Sequence, residues 1–298
     1  MNDEANRSQP IGLIGLGLVG SALAIRMKQA GFSILGFDID PHQCQKNHEA
    51  GIQIAESLYD ITQKCSRVVL SLPDSDIVEK ALLGERGLLE DTSIPKIIID
   101  TTTGNPPQVR HISKEISQRN AIYCDACLIG SSTMIQKGDS VVVIGSQENV
   151  LESIQDLLDS WTNQIFHMGD VGTGSDTKLV VNLVIGLNRL VLSESLVFAE
   201  LLGLDLYKIL EVLKSGVSYS KVMDTKGEKM IERDFNPQAR LRQHLKDVKL
   251  INALGLDHNV QLPLSNLHES ILTKGIEMDL GDLDNSAVIE ILKCHKEK

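Results

Sequence analysis

Runs of positive charge are missing from this 298-residue chain. It carries 29 Lys and Arg against 40 Asp and Glu, a formal net charge of −11. No basic stretch is long enough to make a phosphate-binding stripe, so nucleic acid and anionic membrane surfaces are poor candidates as partners. Cysteine is sparse and odd in number: Cys44, Cys65, Cys124, Cys127 and Cys294. The opening MNDEANRSQP has neither an apolar core nor an Arg-rich amphipathic pattern, and residues 1–10 read as a disordered arm. Together these features fit a reducing cytoplasmic setting. No segment offers the roughly 18 clean apolar residues of a membrane span, because Asn182, Asn188 and Arg189 interrupt the most apolar one. The histidines form no i, i+4 pair, and Cys124-x-x-Cys127 has no second pair nearby, so no metal site is expected. That motif straddles a strand exit instead of opening a helix, and it reads as two semi-buried thiols. There is no internal repeat, no low-complexity segment, and no convincing strand from Gly172 onward.

What the first half does contain is regular strand–helix alternation. IGLIGLGLVG (11–20) joins a short buried strand to the spacing Gly15-x-Gly17-x-x-Gly20, with Leu16 and Val19 between the glycines. A helix over 21–30 and a second strand ending in Asp38 follow. In that context the glycines serve a tight turn, close approach of a pyrophosphate, and close helix–strand packing. The helix N-terminus faces the phosphate charge, and Asp38 accepts from the adenosine ribose hydroxyls. Asp38 would also repel a 2′-phosphate, and Ile39 supplies no positive charge to hold one. NAD is therefore favoured, with NADP as the second choice. Further strands are expected at 67–74, 96–107, 121–132 and 140–146, the whole forming an α/β, Rossmann-type doubly wound sheet. Leu72, Pro73 and Thr103 lie at strand ends where ligand loops gather, on the nicotinamide side.

The second half is helical, and its longest helix is expected over 175–203. At about 100° per residue, Ser175, Lys178, Asn182, Gly186, Arg189, Ser193 and Glu200 fall within an arc of roughly 80° on an otherwise apolar helix. The apolar majority implies a helix buried between two bodies. Lys178 and Asn182, one turn apart on that stripe, become candidates for a reaction site. The domain reading is a Rossmann domain over 11–168 and an all-helical domain over 169–298.

Five blocks in order resemble the β-hydroxyacid dehydrogenase family, the group of 3-hydroxyisobutyrate dehydrogenase and tartronate semialdehyde reductase within the 6-phosphogluconate dehydrogenase superfamily. They are IGLIGLGLVGSALA, DACLIGSSTMIQKG (125–138), GTGSDTKLVVN (172–182), DFNPQARLRQHLKD (234–247) and GDLDNSAVI (281–289). The resemblance implies that Lys178 is the catalytic lysine and that Asn182 positions the substrate. It implies that Gly130 and Ser131 hold the substrate carboxylate, that Lys246 lies near nicotinamide and substrate, and that Leu72, Pro73 and Thr103 touch the cofactor. It also implies a homodimer or homotetramer. Ile129 stands where the family has a serine that contacts the carboxylate; either Ser131 or Ser132 substitutes, or the substrate differs.

The expected activity is hydride transfer between a nicotinamide cofactor and a small β-hydroxy acid or semialdehyde, with Lys178 as general acid/base. Two alternatives stay open: a non-catalytic NAD-binding regulator or scaffold, and a reductase of a carbonyl or imine lacking the usual carboxylate. Imine reductases of this fold generally replace the lysine, and Lys178 argues against that activity.

Overall fold

The computed structural model describes residues 9–90 and 97–293. Residues 1–8 of the expected arm and Cys294 lie outside the described residues. The first elements are β1 (Ile11–Ile14), α1 (Leu18–Gln29), β2 (Ile34–Phe37), α2 (Pro41–Glu49), β3 (Gln53–Ile54), α3 (Leu58–Lys64), β4 (Arg67–Leu70) and α4 (Ser75–Leu83). Next come β5 (Ile97–Asp100), α5 (Pro106–Ser117), β6 (Ile122–Ile129), α6 (Ser132–Lys137), β7 (Val141–Gly145), α7 (Glu148–Trp161) and β8 (Ile165–Gly169). The remainder is helical: α8 (Thr173–Leu201), α9 (Leu206–Ser215), α10 (Lys221–Glu232), α11 (Leu241–Asp257), α12 (Pro263–Glu277), a 3₁₀ turn at Asn285–Ala287 and α13 (Val288–Lys293).

The strands form one sheet in the order β3-β2-β1-β4-β5-β6-β7-β8. All neighbours are parallel except β6 and β7, which run antiparallel. The short, continuously apolar strands follow from burial on both faces. Within β4, Val69 joins one core with Leu23, Met27, Ile154 and Trp161, while Val68 and Leu70 join another with Ile61, Val78, Leu82 and Ile112. The alternation of strand side chains thus feeds two separate helical layers. β6 is twice the length of β4 and β5. Its first half pairs with β5, and its second half, Asp125 to Ile129, pairs with β7. β3 and the antiparallel pairing of β7 were not read from the sequence, and α2, α3 and α6 were expected only as helices in the gaps between strands.

The chain divides into two compact units, Met1–Lys178 and Leu179–Lys298. The division falls inside α8, where the sequence reading put it before the helix, because the first turns of α8 are bonded to β6. The second unit has its own core, with Leu192 and Leu196 of α8 packed with Leu210, Met230, Val248, Leu272 and Ile289. By length and mean hydropathy α8 could cross a membrane. Its polar stripe is nevertheless turned inward: Ser175, Asn182, Gly186, Arg189 and Ser193 are buried, whereas Val180, Val184, Val191 and Phe198 are exposed. The apolar surplus lies on an open face, and the polar residues face their own unit.

The second unit is clipped shut by Asp284, whose side chain is fully buried. Its carboxylate accepts Lys226 Nζ at 2.7 and 2.9 Å and the backbone N–H groups of Gln238 (2.9 Å), Ala239 and Ser286. Burial alone would push this acid up. Lys226 and the backbone donors outweigh it and bring Asp284 down to about 2. A depressed acid contributes stability above its unfolded value and loses it as pH falls toward 2, so this clip holds through the neutral range. Lys226→Ala would leave the carboxylate buried and unpaired. It is expected to cost about 3–5 kcal/mol in chemical denaturation at pH 7; a loss under 1 kcal/mol would contradict the clip.

Candidate active site

The glycine loop is built by three different contacts. Gly15 has φ +95°, and a Cβ there would lie 2.2 Å from Ser71 O. A Cβ on Gly20 would lie 1.9 Å from Gly15 O, so the start of α1 packs directly on the turn. Gly17 is different, since a Cβ there meets nothing within 4 Å. It is the N-cap of α1, donates no side-chain cap, and is followed by a first turn without acidic residues. The opening amides of α1 therefore present partial positive charge to open space, which suits a pyrophosphate. Leu16 is fully buried, so any part it plays at this loop is through its backbone. Its N–H donates to Asp38 Oδ2 at 2.7 Å, and Asp40 N–H donates to Oδ1 at 2.9 Å. Asp38 is thus fixed at the edge of the loop, with Ile39 fully exposed and no cation at that position. Val19 is half-buried on the same turn. These features fit a dinucleotide.

The next strand ends gather at the same edge, because β1, β4 and β5 are adjacent and parallel. Leu72 N–H donates to Thr102 Oγ1 at 3.1 Å, and Thr101 Oγ1 donates to Leu70 O at 2.7 Å. Asp100 accepts Thr102 N–H at 2.9 Å and the Tyr123 hydroxyl. Leu72, Pro73 and Thr103 therefore stand on two loops tied to each other through Thr102, a residue that sequence reasoning passed over.

β6 then brings Lys178 to the loop that follows Ile129. Gly172 Cα is left-handed, with φ +96°. A Cβ on Gly174 would lie 2.7 Å from Asp125 O and 2.9 Å from Gly145 N and Val143 O. The two glycines of GTG are thus required by a helix start lying flat on the backbones of β6 and β7. Asp125 Oδ1 accepts Gly172 N–H at 2.7 Å, and Oδ2 accepts Ser175 N–H at 2.6 Å. One turn on, Lys178 Nζ donates to Leu128 O at 2.7 Å. Two residues beyond Leu128, Gly130 takes φ +146°, and Ser131 caps α6 by accepting Met134 N–H at 3.3 Å. Lys178, Gly130 and Ser131 are thereby gathered at one end of β6. Burial pushes Asp125 up from 3.8 to about 6, against the pull of its backbone donors. An acid raised in this way contributes stability below its unfolded value and loses that contribution as pH rises through 6. Its charge at neutral pH is carried at a cost to folding.

In the second unit, Asn182 and Lys246 meet at one carboxylate. Asn182 Nδ2 donates to Asp247 Oδ2 at 2.9 Å, and Lys246 Nζ lies 3.2 Å from Asp247 Oδ1. Asp247 is buried, so Lys246-Asp247 is no plain surface pair. One turn along α8, a Cβ on Gly186 would lie 2.5 Å from His244 Nε2 and 2.7 Å from His268 Cε1. The missing side chain makes room for two imidazoles whose centroids are 5.1 Å apart. Burial, and then Arg189, drive His268 down to about 4, so it is neutral at physiological pH. Ser193 Oγ bonds inward to Met230 Sδ at 3.5 Å, while exposed Glu200 pairs with Lys293.

Cys124 and Cys127, three apart on a strand, face opposite sides of the sheet. Burial drives both thiols well up, which leaves them poor nucleophiles.

Comparison with known proteins places this architecture. Residues 10–169 match the family model for the NAD binding domain of 6-phosphogluconate dehydrogenase. Residues 172–292 match that for the NAD-binding region of NADP-dependent 3-hydroxyisobutyrate dehydrogenase. The chain is 30% identical to 2-(hydroxymethyl)glutarate dehydrogenase of Eubacterium barkeri, covering 96% of this chain and 95% of that one. It is 26% identical to 2-hydroxy-3-oxopropionate reductase of Escherichia coli K12, covering 95% and 97%. A solved 3-hydroxyisobutyrate dehydrogenase from Salmonella typhimurium superposes with a TM-score of 0.87 at 21% identity, over 95% of this chain and all of that one. An imine reductase from Pseudomonas sp. shares the fold at a TM-score of 0.64 and 17% identity, over 95% and 99%.

The open space at Gly17 separates folding from binding. Gly17 has φ −68°, which alanine adopts freely. Gly17→Ala is expected to leave the melting temperature within about 2 °C while weakening NADH, titrated by fluorescence, at least tenfold. Unchanged NADH affinity would remove the phosphate role from this loop.

Proposed function

Because the chain belongs to the β-hydroxyacid dehydrogenase family, we propose that Lys178 is the general acid/base of an NAD(P)-dependent oxidation of a small β-hydroxy acid, or of the reverse reduction of its semialdehyde. The enzyme class, NAD(P)-dependent hydroxyacid dehydrogenase or reductase, comes with the family. The observation that carries the lysine assignment is the bond from Lys178 Nζ to Leu128 O, which sets the ammonium two residues from Gly130 and three from Ser131.

When bound, the nicotinamide supplies or takes up the hydride. In oxidation Lys178, as the free amine, takes the hydroxyl proton of the alcohol and becomes the ammonium; in reduction the ammonium gives that proton to the carbonyl oxygen. Its carbonyl partner Leu128 O carries no formal charge, so Nζ can be released to a substrate hydroxyl without breaking an ion pair to that oxygen. The backbone at Gly130 and the Ser131 hydroxyl hold the substrate carboxylate. Asn182 orients the substrate with its amide while Asp247 fixes its Nδ2, and Lys246 balances the carboxylate charge. Ile129 removes one hydroxyl from this loop and makes it more apolar.

NAD is the preferred cofactor, because Asp38 would face a 2′-phosphate and Ile39 offers it no counter-charge. Leu72, Pro73 and Thr103 line the nicotinamide side. The protein assembles as a homodimer or homotetramer through α8. Val180, Val184, Val191 and Phe198 fall within an arc of about 40°, each at least half exposed. Such a stripe is suited to a second copy. A cytoplasmic setting suits Cys44, Cys65, Cys124 and Cys127, which are all free thiols.

The test is a turnover screen at 340 nm with 3-hydroxyisobutyrate, tartronate semialdehyde, succinic semialdehyde, 2-(hydroxymethyl)glutarate and simple imines. Turnover of a hydroxy acid or semialdehyde is expected, with Lys178→Ala slower by about 10²–10⁴ in kcat and NADH affinity kept. Undiminished turnover in Lys178→Ala would remove the lysine from the chemistry, and NADH binding without turnover would favour a scaffold. In light scattering, Phe198→Glu is expected to shift the assembly toward monomer; an unchanged mass would place the interface elsewhere.

A further inference from the structure

We propose that Asp125 is a positioning residue for the reaction: from strand β6 it acts as a remote cap on α8 and holds the lysine-bearing turn in register with the substrate loop that grows from the same strand. The proposal rests on the reading of Lys178 as the acid/base.

The start of α8 lacks the means to cap itself. Its first helical residue is Thr173, so the N-cap position is Gly172 and the third helical residue is Ser175. A helix ordinarily covers the amides at these two positions with a Ser, Thr or Asp at the N-cap and a Glu or Gln at the third position. Gly172 has no side chain to offer. Thr173 Oγ1 is turned away, donating to Asp170 O at 2.8 Å. Asp125, 47 residues earlier, takes both amides, one on each carboxylate oxygen, at 2.7 and 2.6 Å. A local cap would set the pitch of the helix alone. A cap from β6 sets where the helix stands on the sheet.

Register is what the catalytic group needs. α8 touches β6 again at Lys178 and Leu128, three residues further along the strand than Asp125. The two contacts fix the helix to the strand at both ends of its first turns, like two pins through one plate. Gly130 and Ser131 continue directly from that strand. The surroundings leave no room for slippage: a Cβ on Gly145 would lie 2.5 Å from Asp125 Oδ1 and 3.0 Å from Gly174 N.

Several facts separate this role from ordinary stabilisation. Asp125 is buried, forms no ion pair among the described residues, and costs folding stability when ionised. A neutral side chain would be favoured there if packing were its only duty. The groups around it are Asp100 on β5, Tyr123, Cys124 and Cys127 on β6, Arg110 on α5 paired with Asp176, and Lys178 and Ser175 on α8. The thiols and the phenol are pushed up by burial and stay neutral. Burial raises Asp125 itself to about 6. Its protonation replaces one acceptor with an O–H facing a backbone N–H, which loosens the turn.

The experiment pairs Asp125→Asn with the wild type across pH 5–8. Asn keeps the shape but presents an N–H₂ to one of the two amides. In the wild type, kcat is expected to fall as pH drops through about 6, with KM for NADH changed less than twofold. Asp125→Asn is expected to lose at least tenfold in kcat, to bind NADH within twofold of wild type, and to lack that acidic limb. Hydrogen exchange supplies a readout independent of turnover. The Gly172 and Ser175 amides should exchange at least tenfold faster in the variant, and in the wild type below pH 6 after correction for intrinsic rates. Should the variant not fold, the wild-type pH series of exchange and kcat decides the question. Unchanged amide protection, unchanged kcat, or parallel losses in kcat and NADH affinity would each overturn the proposal. Absence of any turnover in the wild type would sink the acid/base reading, while the exchange data would still decide whether Asp125 holds the turn.

Discussion

A carboxylate taken out of water must find donors, and Asp125 finds two of them at the start of the long helix, in the Gly172 and Ser175 amides. Much of the first unit follows from that requirement. Gly172 must adopt a left-handed backbone to bring its N–H round. Gly174 and Gly145 must lack side chains so that helix and sheet backbones can meet. The helix then has only one place to stand, and Lys178 reaches Leu128 O. The cost of an ionised buried acid is small beside the gross terms of folding, but net stability is only on the order of 5–15 kcal/mol. A chain that keeps such an acid spends part of a thin margin on fixing one ammonium.

The same logic of absent side chains recurs wherever backbone approaches backbone or ligand. Gly15 and Gly20 give up their Cβ atoms to each other and to Ser71, which locks the loop, while Gly17 gives up its Cβ to open space. Gly186 gives up its own to His244 and His268. In the second unit the polar members of α8 are drawn inward by partners. Asn182 goes to Asp247, and Ser193 to Met230. That leaves the apolar face of the helix to the outside, where Val180, Val184, Val191 and Phe198 stand exposed.

Local signals made much of this legible in the sequence. The spacing Gly15-x-Gly17-x-x-Gly20 with Asp38 after the next strand specifies the loop, and Leu16 N–H to Asp38 closes it as that pattern requires. The continuous apolar strands gave the parallel sheet, and the 3.6-residue period gave the helices of the second half. What escaped depends on contacts distant in sequence. Nothing in AIYCDACLI says that its aspartate caps a helix 47 residues later, although an acid inside an apolar strand is itself a sign of a buried partner. The antiparallel turn of β7 and the two-residue β3 carry no periodicity of their own. The stripe on α8 was visible as a stripe, but hydrophobicity alone does not distinguish a face covered by the same chain from one left for another. Ser131 is a further case: its hydroxyl accepts Met134 N–H and caps α6, a contact that the carboxylate role proposed for it would have to share.

We propose that β6 carries both the carboxylate-holding loop and, through Asp125 and Leu128, the lysine that moves the proton. A crystal structure of the protein with NADH and a non-reacting 3-hydroxy acid analogue tests this most directly. The analogue hydroxyl is expected within about 2.6–3.2 Å of Lys178 Nζ, its carboxylate against Gly130 and Ser131, and Asp125 still bonded to the Gly172 and Ser175 amides. A ligand whose hydroxyl lies away from Lys178, with Nζ still held by Leu128 O, would contradict it.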